Sequence, residues 1–165
     1  MKRHPIRTYN ILLPIWMLVW FPSWLWLILI PANYLIDRLV LSWGLGDMEN
    51  KGTFCRANTW KICIAGFLSD LAGSAMLFIS LLVSDAIPGA HDFGAALSIN
   101  PFENIFALLV TLAAIALAGF CIFKLDRWLL GKAGLDAELA RKAALRLALV
   151  TAPYLFLVPG TLIYG

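Results

Sequence analysis

The sequence predicts an all-α integral membrane protein, a polytopic helix bundle of five membrane segments, and three observations carry that prediction. Hydrophobic residues make up 61% of the chain and charged residues 14%, whereas a soluble domain carries about 25% charged residues and about 45–50% apolar ones. The apolar residues come in runs of about 20, the length that crosses a bilayer as a helix. When the runs are threaded back and forth, all 13 lysines and arginines fall on one side, as the positive-inside rule requires. The expected segments are approximately 5–21, 23–43, 61–83, 101–123 and 144–164. The connectors are too short for an independent soluble domain, which needs about 50 residues, so residues 1–165 form a single transmembrane domain.

The first two segments form a hairpin. Lys2, Arg3 and Arg7 resemble the positive region of a signal peptide, but no small-residue cleavage site follows and apolar character continues to Val40, so the segment is read as retained. Residues 6–43 as one helix would run about 57 Å at 1.5 Å per residue, far more than a hydrocarbon core of about 30 Å accepts. Pro22 supplies the break, because a proline disfavours helix in the residue before it. Trp20, Trp24 and Trp26 gather at that apex, where an interfacial aromatic belt is expected. A single crossing, giving four spans, is the alternative. At the far end of the hairpin, Asp37 and Arg38 are read as snorkelling to the interface.

Residues 42–61 hold Gly44, Gly46, Gly52, Asp47, Glu49 and Asn50 and read as a cytoplasmic loop. In the third segment Ala65, Ser69 and Gly73 share a small-xxx-small spacing that admits another helix, with Gly66, Asp70 and Ser74 on the adjoining stripe. Residues 84–100 read as an outer loop. Its Asp85, His91 and Asp92 lack a metal-ligand spacing and are assigned to solvent. Asn100-Pro101-Phe102-Glu103 marks a helix start, with Asn as cap, Pro at the first helical position and Glu three residues after the cap. The fourth segment carries Ala107, Thr111, Ala114 and Ala118, a matching small face for packing on Ser69 and Gly73. Lys124, Asp126, Arg127 and Trp128 mark its cytoplasmic exit. A helix starting at Asp136 is expected to run on into the fifth segment, with Arg141, Lys142 and Arg146 suited to anionic lipids.

Asp70 is the least comfortable residue in this scheme. A carboxylate at the bilayer centre costs roughly 2.5–3.5 kcal/mol on insertion scales and usually faces protein or a watery cavity. Counting helical rise from the segment ends puts Asn33, Thr111 and Tyr154 at about the same depth, some 12–15 Å from the ends. With Ser69 and Ser74 they define a candidate polar layer, while Ala65, Gly66, Gly73, Ala107, Ala114 and Ala118 are the candidate helix-packing positions.

The common catalytic patterns are missing. There is no His-Glu-x-x-His, phosphate-cradling glycine loop or Gly-x-Ser-x-Gly, and Cys55, Cys63 and Cys121 lack metal-type spacing. No catalytic residue, cofactor or metal is expected, and the charge placement does not describe a nucleic-acid footprint. The expected function is therefore assembly, as a homo-oligomer or an accessory subunit of a membrane complex. Transport of a small solute or ion through the polar layer around Asp70 is the alternative. Small size and terse loops point to a bacterial inner membrane, with the N-terminus inside and the C-terminus outside. A cysteine placed at residue 2 is expected to be labelled from the cytoplasmic side only. Labelling from the outside alone contradicts the hairpin.

Overall fold

The computed structural model describes Pro14, Trp16, Met17, Trp20 and residues 26–164. The expected first limb falls almost wholly outside that set, and the Pro22 break entirely. The described residues form an all-helical chain: α1 (Trp26–Gly44), α2 (Lys51–Ala86), α3 (His91–Ile99), α4 (Ile105–Lys132), α5 (Ala137–Thr151) and a last turn, α6 (Thr161–Tyr164). Among the described residues, α1, α2 and α4 are long and apolar enough to cross a membrane.

Two helices exceed their expected length. α2 begins at Lys51 and runs 36 residues, about 54 Å at the helical rise. Counting apolar residues stops at the first charges, but the polar groups of this first stretch bond to their own helix. The Asn58 side chain donates to the Phe54 carbonyl and the Thr59 hydroxyl to that of Cys55. Cys55, Thr59 and Ile62 meanwhile face the core. α4 likewise continues to Lys132.

The loop expected at 84–100 contains α3, seated on the end of α2. A Cβ on Gly94 would lie 2.6 Å from the Ser84 hydroxyl, so glycine permits that approach. Asn100 and Pro101 cap as expected, the Asn100 side chain accepting from the Phe102 amide and donating to Glu103. They open only a 3₁₀ turn, Pro101–Glu103. The α-helix starts one turn later, where the Asn104 side chain accepts from the Phe106 and Ala107 amides. Asp136 caps α5 in the same way.

The fifth segment departs most from expectation. Residues 144–164 are not one helix: α5 stops at Thr151, a 3₁₀ turn covers Tyr154–Leu157, and α6 is four residues long. Pro153 and Pro159 account for this, since proline lacks the amide that a helix interior needs. The Gly160 amide instead donates to the Ile99 carbonyl at the end of α3.

Packing divides into two apolar clusters. One joins Leu41, Ile62, Ile122, Leu130, Ala144 and Leu147 from α1, α2, α4 and α5. The other joins Trp16, Leu77, Leu97, Ala114, Ile115 and Phe156, and the Trp16 indole donates to the Leu97 carbonyl. α5 locks onto α1 through small residues and one cation. A Cβ on Gly44 would sit 3.0 Å from Ala143. The Arg146 guanidinium donates to the Trp43 carbonyl at 2.7 Å and lies over its ring, joining the Gly46 amide, which donates to the same carbonyl at 3.4 Å. Lys142 pairs with Glu138 at 2.7 Å and holds that carboxyl below its ordinary range through the hydrogen bond. Two of the three cations expected to meet anionic lipids thus have protein partners.

α2 and α4 approach most closely at Gly73. A Cβ there would lie 2.8 Å from the Ala114 carbonyl oxygen and 3.1 Å from the Ala118 methyl. Ala107, Ala114 and Ala118 are fully buried and Ala65 nearly so. Gly66 packs on nothing, as a Cβ there would find open space. The small-residue stripe is therefore used within the chain. Gly73→Leu is expected to lower the unfolding free energy of the monomer by about 1–3 kcal/mol, the usual cost of overpacking. Gly66→Ala, whose methyl meets open space, is expected to raise it by up to about 1 kcal/mol, the helix-interior advantage of alanine over glycine. Denaturant titration in detergent checks both. Equal stability of Gly73→Leu and the parent contradicts the contact.

Candidate functional site

Between α1, α2 and the end of α5 lies a cavity of about 140 Å³. α1 supplies Asn33 and Asp37, one helical turn apart. α2 supplies Cys63, Gly66 and Asp70, which share a face, and α5 supplies Thr151 at the point where Pro153 ends the helix. The missing side chain of Gly66 leaves the space open. Pockets for metabolite-sized ligands run to about 300–1,000 Å³, so this cavity suits an ion with a few waters.

Its electrostatic character is one-sided. Asp37 is 6% exposed and its carboxylate accepts a hydrogen bond from the Cys63 thiol. Asp70 keeps one carboxylate oxygen buried without a partner. Among the described residues no lysine, arginine or histidine lines the cavity. The carbonyls that end α5 add the negative pole of a helix. The Thr151 hydroxyl donates back to the Leu147 carbonyl and so presents its lone pairs to the cavity. Burying a carboxylate without compensation is costly, and among the described lining residues no cationic side chain offsets it.

A third carboxylate lies deeper. Asp126 is fully buried, with neither oxygen bonded, on the α4 face that runs through Ala118, Ile122 and Leu130. Counting from the Gly73 contact along the antiparallel helices, Asp126 is level with Cys63, about 15 Å from that contact at the helical rise. Asp37 is within electrostatic reach of both Asp70 and Asp126. Among the described residues no three His, Cys, Asp or Glu side chains converge to cage a metal ion.

Of the expected polar layer, the structure brings together Asn33 and Asp70. The other members bond to their own surroundings: Ser69 to the Ala65 carbonyl, Ser74 to that of Leu71 and Thr111 to that of Ala107. Tyr154 is exposed and lies outside the cavity lining, because the chain leaves the helix before reaching it. Its hydroxyl donates at 2.6 Å to the Leu149 carbonyl, the acceptor that an amide at position 153 would have served in an unbroken helix.

Asp37, Cys63, Thr151 and Asp126 were not among the expected site residues, though a signal for each exists. Asp37 follows Asn33 by four residues and Cys63 precedes Asp70 by seven, both same-face spacings. Asp126 continues the four-residue series Ala114, Ala118, Ile122. Reading it as an exit marker gave weight to the neighbouring Lys124 and Arg127, which point the other way.

Comparison with protein-family models, with curated proteins and with solved structures gives no match, so the chemistry of the cavity carries the functional reading. Asp126→Val, which removes the unbonded oxygens at similar volume, is expected to raise the unfolding free energy by about 1–3 kcal/mol, the cost of leaving a buried polar group unsatisfied. A drop in stability in the same titration contradicts the unbonded carboxylate.

Proposed function

We propose that this chain is embedded in a lipid bilayer and carries a small cation, the proton included, through the cavity lined by Asp37 and Asp70. The observation behind this reading is a pair of carboxylates facing one small cavity that, among the described residues, no basic side chain lines. In a bilayer such a site is costly while empty and is compensated when a cation enters. Asn33 and the Thr151 hydroxyl supply neutral oxygens for partial dehydration, and Cys63 holds the Asp37 carboxylate in place. Asp126, on the side of the basic helix ends, is the next acceptor toward the cytoplasm.

Of the features behind the assembly reading, small size, the missing soluble domain and the small-residue stripes, the stripes are used between α2 and α4 of one chain. The orientation follows the basic residues, with the Lys132 end of α4 inside, and a bacterial inner membrane remains the proposed location. The exposed apolar residues of α1, α2 and α4, among them Leu27, Leu68 and Phe106, are the lipid-facing surface.

In proteoliposomes, imposed Na⁺, K⁺ and proton gradients are expected to drive flux of at least one of these ions through the parent protein. Asp70→Asn is expected to reduce that flux tenfold or more, the equivalent of about 1.4 kcal/mol, while the solvent-exposed Asp85→Asn leaves it intact. Flux unaffected by Asp70→Asn, or none in the parent under any of the three gradients, contradicts the proposal.

A further inference from the structure

The basic end of α4 carries a groove with a chemistry of its own. Lys124, Arg127, Trp128, Gly131 and Lys132 line an open depression of about 500 Å³, and all five are exposed. Their spacing places them on one helical face. The Lys132 ammonium lies 4.0 Å from the centre of the Trp128 ring, and the Lys124 ammonium lies 5.4 Å from that of Phe120 one turn away. Gly131 leaves the floor of the groove open, since a Cβ there would meet nothing within 4 Å. Among the described residues no acidic side chain lines the groove. The nearest carboxylate in sequence, Asp126, is turned into the core.

The same face continues into an apolar track. Phe106, Leu109, Leu117 and Phe120 are exposed along α4 and lead up to Lys124. Three cations and an indole at the end of an exposed apolar ridge match an amphiphile with an anionic head and hydrocarbon tails. An indole at that level also suits the headgroup zone, where tryptophan is enriched. This complementarity distinguishes the groove from the basic residues of α5, where Lys142 is paired with Glu138 and Arg146 with Trp43.

We propose that this groove is a binding site for an anionic phospholipid. The phosphate is held by Lys124, Arg127 and Lys132, and the acyl chains lie along the Leu109–Phe120 ridge. The inference rests on the bilayer reading and is independent of cation transport, which the gradient assay tests separately.

Native mass spectrometry of the full chain, released from micelles containing phosphatidylglycerol and phosphatidylcholine in equal amounts, tests the site. The parent is expected to retain phosphatidylglycerol preferentially. The K124Q/R127Q/K132Q variant is expected to lose that preference by roughly tenfold or more, as loss of three interfacial cations implies. The R141Q/K142Q variant is expected to keep it. All five positions are exposed, and circular dichroism of each variant confirms its fold. Retention by the triple variant overturns the site, as does equal loss in the double variant. Displacement of the lipid by inorganic phosphate alone overturns the assignment to a phospholipid in favour of a free-phosphate site.

Discussion

The distance between α2 and α4 at Gly73 is the constraint on which the rest of this structure depends. With a carbonyl oxygen 2.8 Å from where a side chain would begin, the two long helices meet backbone to backbone. That approach requires small residues along both faces, and Ala107, Ala114 and Ala118 provide them. It also sets the register of the bundle. Once Gly73 lies on Ala114 and Ala118, the lower halves of the helices have a fixed pairing, and α1 and α5 close over them through Gly44, Ala143 and Arg146. Between non-polar helices in a bilayer, such packing has to supply what hydrophobic burial supplies in water.

The bundle opens between α1, α2 and the end of α5. α5 ends at Thr151, and Gly66 on α2 offers no side chain to fill the gap. Pro153 thus creates the cavity as much as the carboxylates furnish it. The break would leave the Leu149 carbonyl without a donor, and the Tyr154 hydroxyl meets that need. The buried hydroxyls of Thr59, Ser69, Ser74, Ser84 and Thr111 bond to carbonyls of their own helices. The carboxylates are the exception. Asp70 keeps one oxygen unbonded and Asp126 both, which is the opposite of how polar groups are otherwise treated in this molecule. Groups retained at a cost to stability are concentrated at functional sites.

How much of this could be read from residue order varied with the range of the interaction. The helical class and the small-residue faces of α2 and α4 depend on local periodicity, and Ser69, Gly73, Ala114 and Ala118 display it plainly. The Asp70 anomaly was visible for the same reason. Helix ends were less legible, because charge alone did not reveal that Asn58 and Thr59 bond within their own helix, or that Asn104 rather than Asn100 caps α4. Tyr154 was misplaced by assuming that helical rise continues through Pro153. Asp37 and Asp126 were harder still. Each has a cationic neighbour in sequence, Arg38 and Arg127, and only the rotation of the helix shows that the two members of each pair face opposite ways.

The central claim is that Asp70 faces a water-poor cavity that accepts a cation. Dicyclohexylcarbodiimide, an apolar reagent that adds to carboxyl groups held away from water, tests it directly when the modified residue is located by peptide mass mapping. The account predicts an adduct at Asp70 that a transported cation suppresses. Adducts confined to exposed carboxylates such as Asp85, Asp92 and Asp136, with Asp70 untouched at any cation concentration, would contradict it.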